Sequence, residues 1–366
     1  MDKKIKVLLL SAPIGSGHRM AAEAIKEELE SFDNIEVTHG NVFNFFPKFL
    51  GESFLTCYLG ILRLCPWLYQ MTYAWGNKES ASLWLRNFIN RCLLSLGSGF
   101  LNKVKPDIVI ATHATPTGIM SLYKKKHPEI FLGVVVTDFT VHKWWICKNV
   151  DAYFVADESL KEKFSAGTIV ESFGIPLRKE FRVEDGLELR KNFGWTSDEK
   201  VCLVMGGGDG LLPMEEIISK LHALKLANLR LIAICGKNAK LKKSLAEKFG
   251  CKEKVEIIGY TNEVPSYMKA ADLIISKAGG LTASESLASN LQFLIYKPLP
   301  GQEQNNASFL AKKYGARICL DINSLSEEVK KLCSEEKISK PSAFIGKFAT
   351  ENICKYIISK HCEKKS

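Results

Sequence analysis

A chain of 366 residues is long for one hydrophobic core and predicts two domains. With 46% hydrophobic and 25% charged residues it is not a low-complexity or disordered sequence; its eleven cysteines, without a C-x-x-C pair or a Cys/His cluster, exclude a disulfide framework and fit small buried side chains in a reducing, cytoplasmic compartment. The net charge of +10 favours anionic partners: nucleic acid, phosphate-bearing ligands or anionic lipid.

The chain opens on an apolar, strand-like run at 5–11, too short for a signal sequence. Pro13-Ile14-Gly15-Ser16-Gly17-His18 follows, then a helical pattern over 21–29. Residues 41–105 differ from the rest: thirteen are Phe, Tyr or Trp, and seven basic residues stand against two acidic ones. Aromatic side chains with basic neighbours suit the headgroup layer of an anionic leaflet, although positions such as Phe49, Phe54 and Tyr58 also fit a helix core. The same composition could serve single-stranded nucleic acid, but no RNA-binding motif accompanies it. No uninterrupted apolar stretch of 18 residues exists, so no transmembrane helix is predicted; the nearest candidate, 54–75, is broken by Arg63.

Strands are predicted at 107–111, 133–137 and 152–156, the middle one running into Asp138. Residues 174–198 read as a linker. The pattern then restarts: a strand at 201–205, the turn Gly206–Gly210, a helix from about Met214, and strands at 229–235, 255–258, 273–276 and 291–296. The tail, 340–366, reads as one or two amphipathic helices with a frayed end.

Strands alternating with helices predict an α/β fold with parallel sheets covered on both faces. Two such halves in tandem predict two Rossmann-like domains facing across a cleft, the architecture shared by GT-B glycosyltransferases and several other enzymes. We place an N-terminal domain at 1–172, a C-terminal domain at 173–345 and a last helix at 346–366, which could return to the N-terminal domain.

The glycine loops narrow the chemistry. Neither Gly15-x-Gly17 nor Gly206-x-Gly208 completes a dinucleotide fingerprint, because Met20 and Leu211 stand at the third glycine position, and no P-loop occurs. Gly279-Gly280-Leu281-Thr282 follows a strand and opens a helix, which would bring backbone amides and a helix dipole to a diphosphate. The competing reading is a capping box, Thr282-x-x-Glu285. Pro300-Gly301-Gln302-Glu303-Gln304-Asn305-Asn306 reads as a loop of amides and carboxylates suited to sugar hydroxyls, or as a solvated loop.

Six segments in order resemble the monogalactosyl- and glucosyl-diacylglycerol synthases, and more distantly the lipid II-forming N-acetylglucosaminyltransferase: 15–22, 136–145, 174–178, 206–210, 279–285 and 300–306. The resemblance spans about residues 5–320. It implies a GT-B fold and an inverting transfer from a UDP-hexose, UDP-glucose or UDP-galactose, to diacylglycerol or a glycosyl-diacylglycerol, without metal or other cofactor. It implies a donor held by the C-terminal domain: Glu285 on the ribose, Gln302 and Glu303 on the sugar, Arg178, Gly207, Gly208 and the start of the helix at Gly279 and Gly280 on the diphosphate, and Lys237 and Tyr260 bordering the base. Sequence chemistry agrees on the metal, since no Asp-x-Asp pair stands ready to hold a divalent ion against a diphosphate.

His18 is the predicted base, held neutral by the positive end of its helix, within the family's glycine loop at Gly17. Asp138, at a strand's carboxyl end, would orient His18 or be the base itself. His142 and Trp145 would meet the acceptor. His113 reads as structural, and His39, His127, His222 and His361 carry no site signal. The expected location is the cytoplasmic face of a membrane, bound peripherally, with no nucleic-acid partner. Two alternatives share the pattern: another enzyme of this architecture, such as a nucleotide-sugar epimerase or the lipid II-type transferase, and a non-catalytic nucleotide-sugar or lipid binder.

Overall fold

A computed structural model describes residues 4–12, 16–42, 80–182, 186–207, 212–338, 341 and 344–365. Two compact units divide the chain, one formed by Met1–Arg178 with Phe348–Ser366, the other by Lys179–Lys347. Each is built on one six-stranded, all-parallel sheet.

In the first unit the strands are β1 (Ile5–Ser11), β2 (Ile35–Asn41), β3 (Ile108–Ala111), β4 (Phe131–Val135), β5 (Ala152–Phe154) and β6 (Val170–Glu171), in the order β2-β1-β3-β4-β5-β6. Parallel sheets are buried on both faces, so their central strands are continuous apolar runs. β3 and β4 are buried throughout, and successive residues of β1 feed opposite layers. Val7 and Leu9 pack with Ile25 and Leu29 of α1 (Ser16–Leu29) and with Ile353 and Ile357 of the last helix. Leu8 and Leu10 pack on the other face with Leu101 of α2 (Ser80–Val104) and with Ile119 and Met120 of α3 (Ala114–Lys124).

The second unit orders its strands β12-β11-β10-β7-β8-β9, from β7 (Lys200–Met205), β8 (Leu229–Ile234), β9 (Val255–Ile258), β10 (Leu273–Ser276), β11 (Gln292–Tyr296) and β12 (Arg317–Cys319). Its helices are α4 (Gly186–Asn192), α5 (Met214–His222), α6 (Ala239–Phe249), α7 (Val264–Ala270), α8 (Gly280–Ala288), α9 (Gln302–Tyr314) and α10 (Ile322–Ser334). One core layer joins Val204, Leu231, Ile275 and Leu294 to Ile217 of α5, Leu245 of α6 and Val329 of α10. The last helix, α11 (Ala349–Lys365), belongs to the first unit: Ile353 and Cys354 enter its core, and Thr350 bonds the backbone of Leu177 through both the amide and the carbonyl.

Three readings of the sequence are corrected. The stretch 174–198 is not a plain linker, since it carries a short 3-10 turn and α4, which packs on α7. Thr282 caps nothing: α8 starts at Gly280 with Gly279 as its N-cap, so Thr282 and Glu285 lie inside the helix. Residues 302–306 are not loop but the first turns of α9, entered through Gly301 at φ 98°, a left-handed conformation that only glycine adopts at low cost. Gly15, Gly208 and most of the aromatic, basic segment, 43–79, lie outside the described residues.

Candidate active site

All strands of each sheet run the same way, so the turns leaving their carboxyl ends share one edge, where α/β folds carry their chemistry. In the first unit this edge gathers three rings and three strand ends. His18 lies in the first turn of α1, two residues after the helix begins. Its Nδ1 is 2.8 Å from the carbonyl oxygen of Thr112, which follows β3, and 2.6 Å from Oγ1 of Thr137, which follows β4. In return the Thr112 hydroxyl donates to the His18 carbonyl at 3.0 Å. A carbonyl can only accept, so Nδ1 carries the proton and Nε2 keeps the basic lone pair. That is the tautomer a general base needs.

His113 meets the His18 ring edge-on, with centroids 4.8 Å apart at 85°. Trp145 closes the group, 6.4 Å from the His18 ring and 6.1 Å from the His113 ring. Burial pulls the His18 pKa below its ordinary value, opposed by the charge of Asp138 and the bond to Thr112. Burial also drives His113 well below that value, reinforced by His18 beside it. His113 has a second reason to stay neutral: its Nδ1 accepts from the Thr115 amide at 3.1 Å, as N-cap of α3.

The other predicted residues of this unit have mixed placements. Asp138 is buried and within electrostatic reach of His18. Trp145 is buried under the histidines. His142 spends Nδ1 capping the 3-10 turn Lys143–Trp145, accepting from the Trp144 amide. Gly17 sits in the first turn of α1, directly before His18. Arg178 is the last residue of the segment before the chain enters the second unit. Thr112, Thr137 and His113, which hold His18, were not predicted as site residues. Each stands at or just past the end of an apolar strand run, which is the signal that could have found them.

In the second unit, β10 and β11 are neighbours, and the helices that follow them, α8 and α9, both begin at the carboxyl edge of the sheet. Asn306 of α9 donates to the Ala278 carbonyl at 3.0 Å, and Lys277 stands 3.9 Å from Glu303 Oε1. Glu303 Oε2 accepts from the Leu299 amide at 3.0 Å. Gly279, Gly280, Leu281, Thr282, Gln302 and Glu303 are thus brought to one stretch of edge, with buried Glu285 one turn into α8. Lys277, which was not singled out, brings a cation to this stretch. Next along the edge, Ser276 donates to the Met205 carbonyl at 2.7 Å, tying the end of β10 to the end of β7, from which the turn at Gly207 leaves. Gly207 has φ 74°, so its backbone alone calls for glycine. Gly279 is different: its φ is −72° and a Cβ there would meet nothing within 4 Å. At the far end of the edge, Lys237 Nζ lies 5.8 Å over the ring of Tyr260, pairing the turns after β8 and β9.

A cavity of about 470 Å³ opens between the starts of α5 and α6, but Glu215 and Glu216 line it, which disfavours a diphosphate there. Among the described residues no three His, Cys, Asp or Glu side chains converge as metal ligands do, and no helix is long and apolar enough to cross a membrane.

Residues 18–177 match the family model of monogalactosyldiacylglycerol (MGDG) synthase, and residues 201–353 that of the glycosyltransferase family 28 C-terminal domain. A processive diacylglycerol beta-glucosyltransferase of Bacillus pumilus is 30% identical over 355 residues, covering 92% of this chain and 89% of that protein. The enzyme of the same description from Bacillus subtilis is 29% identical over 351 residues, covering 92% and 89%. The crystal structure of MurG from Acinetobacter baumannii superposes with a TM-score of 0.64 at 16% identity, covering 97% of this chain and 99% of that one, which is a likeness of fold.

Proposed function

The chain belongs to the monogalactosyl- and glucosyl-diacylglycerol synthase family of GT-B glycosyltransferases, and we propose that it moves glucose from UDP-glucose onto diacylglycerol or a glycosyl-diacylglycerol, with inversion at the anomeric carbon. The relatives' description as beta-glucosyltransferases supports both glucose and inversion, since the donor is α-linked.

The observation that carries the reading is the tautomer of His18. Its Nδ1 proton is tied to Thr112, so Nε2 can take the acceptor hydroxyl's proton as the oxygen attacks the sugar. Asp138 steadies the imidazolium that forms, and departure of UDP completes the displacement. The UDP product carries the charge of the broken bond. We assign it to the amides at the start of α8, to Gly207 and Gly208, to Arg178, and to Lys277. Glu285, Gln302 and Glu303 take the ribose and sugar hydroxyls, Lys237 and Tyr260 border the base, and Gly17, His142 and Trp145 stand on the acceptor side.

The acceptor is a membrane lipid, so the protein must reach a bilayer. α2 exposes Trp84, Leu85, Phe88, Ile89 and Leu96, with Arg91 and Lys103 also exposed. Trp84 and Phe88 stack at 5.9 Å. This surface suits peripheral binding to an anionic leaflet, which we place at the cytoplasmic face.

The test supplies UDP-glucose or UDP-galactose with diacylglycerol micelles and resolves the lipid products. UDP-glucose should give β-glucosyl lipid and UDP-galactose little. Turnover of either donor at full rate without lipid would replace this reading with an epimerase.

A further inference from the structure

Arg86 stands among the exposed apolar residues of α2, yet its side chain turns away from them. One guanidinium nitrogen, Nη1, donates toward three backbone carbonyls, those of Lys143 at 3.4 Å, Trp144 at 3.3 Å and Ile146 at 3.1 Å. The Trp144 and Ile146 carbonyls lie at the carboxyl end of the 3-10 turn Lys143–Trp145, and the Lys143 carbonyl also takes the Ile146 amide at 3.1 Å. Tyr153 of β5 holds the same turn from elsewhere, donating at 3.2 Å to the Trp145 carbonyl. The turn's side chain Trp145 is the one packed on both His18 and His113.

We propose that Arg86 is a positioning residue for the transfer: by gripping the carboxyl end of the 143–145 turn it sets how Trp145 covers His18, and so links the exposed face of α2 to the base. All three carbonyls meet the one nitrogen Nη1, while Nε and Nη2 donate to Asn87 Oδ1 at 3.3 and 3.1 Å, so the guanidinium is held between its own helix and the turn. Tyr153 holds the turn when Arg86 is lost, so the expected consequence is a loosened Trp145 in a folded protein. Asp138 acts on His18, His18 acts on His113, and Arg86 acts on Cys147 and Tyr153. Loss of the Arg86 charge would also raise a histidine, but independently of Trp145, so it is non-additivity in the double variant that assigns a change at His18 to Trp145.

The kinetic part of this proposal rests on His18 being the base; the structural part does not, and the experiment separates them. Arg86→Gln, Arg86→Lys, Trp145→Phe and the Arg86→Gln/Trp145→Phe double variant are titrated by NMR of the histidine ring protons, with the His18 signal assigned by its loss in His18→Ala. In Arg86→Gln the His18 pKa should rise toward 6.5, by about half a unit or more, as water reaches the ring. Arg86→Lys should recover part of that shift. The double variant should shift no further than Trp145→Phe alone, because both act through one side chain. With UDP-glucose and diacylglycerol, kcat should fall about tenfold at unchanged KM for UDP-glucose. A His18 signal unmoved in folded Arg86→Gln, or additive shifts in the double variant, would overturn the proposal. A moved His18 signal with kcat unchanged would uphold the grip on Trp145 and refute His18 as the base.

Discussion

Gly279 is a glycine that neither its backbone angles nor its neighbours require. On the proposed donor site, a Cβ there would obstruct the approach of UDP to the first amides of α8. Gly279→Ala should therefore melt no lower than the parent while binding UDP at least about tenfold more weakly, a loss of about 1.4 kcal/mol, as measured by calorimetry. Equal affinity would remove the start of α8 from the donor site. The histidine pair makes a second prediction at this scale. Both His18 and His113 have folded pKa values lowered from 6.5, so the unfolded chain takes up protons first as the pH falls. Their contribution to stability is complete above pH 6.5 and is lost progressively below it. His113→Asn can still cap α3 through its side-chain oxygen but cannot titrate, so its melting temperature should fall less between pH 7 and pH 5 than the parent's. The sequence showed His18, since a histidine behind a glycine turn after a strand is legible in one dimension. It marked His113 and Thr137 only as residues at strand ends, and what they touch depends on strand register. It could not show that His142 accepts from the Trp144 amide.

At the scale of elements, Gly133 in β4 explains how the site's supports reach it. A Cβ there would stand 2.8 Å from Ile110 of β3 and 3.2 Å from Phe154 of β5. Gly133→Ala should cost about 1–3 kcal/mol of stability by overpacking, seen in denaturant unfolding, and should lower activity because β4 leads to Thr137 and Asp138. A variant as stable as the parent would mean that the layer holding β4 is loosely packed. The buried strands β1, β3, β10 and β11 were visible as apolar runs because both of their faces are covered. Of the four edge strands only β9 was: β2 reads Ile-Glu-Val-Thr-His-Gly-Asn, half polar, while β6 is two residues long and β12 three. The capping box misled for a local reason. Thr282-x-x-Glu285 has the right spacing, but the two glycines before it let the helix begin earlier, without a side-chain cap.

For the whole molecule, the repeat of strand–glycine turn–helix announced two parallel sheets, and both are present. Composition could not announce that α11 completes the first unit's core, with Ile353 and Ile357 beside Val7 and Ile25, since its partners lie more than 300 residues earlier. The first unit holds a histidine between strand ends, and the second carries a run of helix starts and a glycine turn along one sheet edge. The account is tested most directly by UDP release from UDP-glucose with and without diacylglycerol, in the parent and in His18→Ala. It predicts lipid-dependent release in the parent, matched mole for mole by glucosyl lipid, and a loss of about a hundredfold or more in His18→Ala with UDP affinity kept. Full activity in His18→Ala, or UDP release indifferent to lipid, would contradict it.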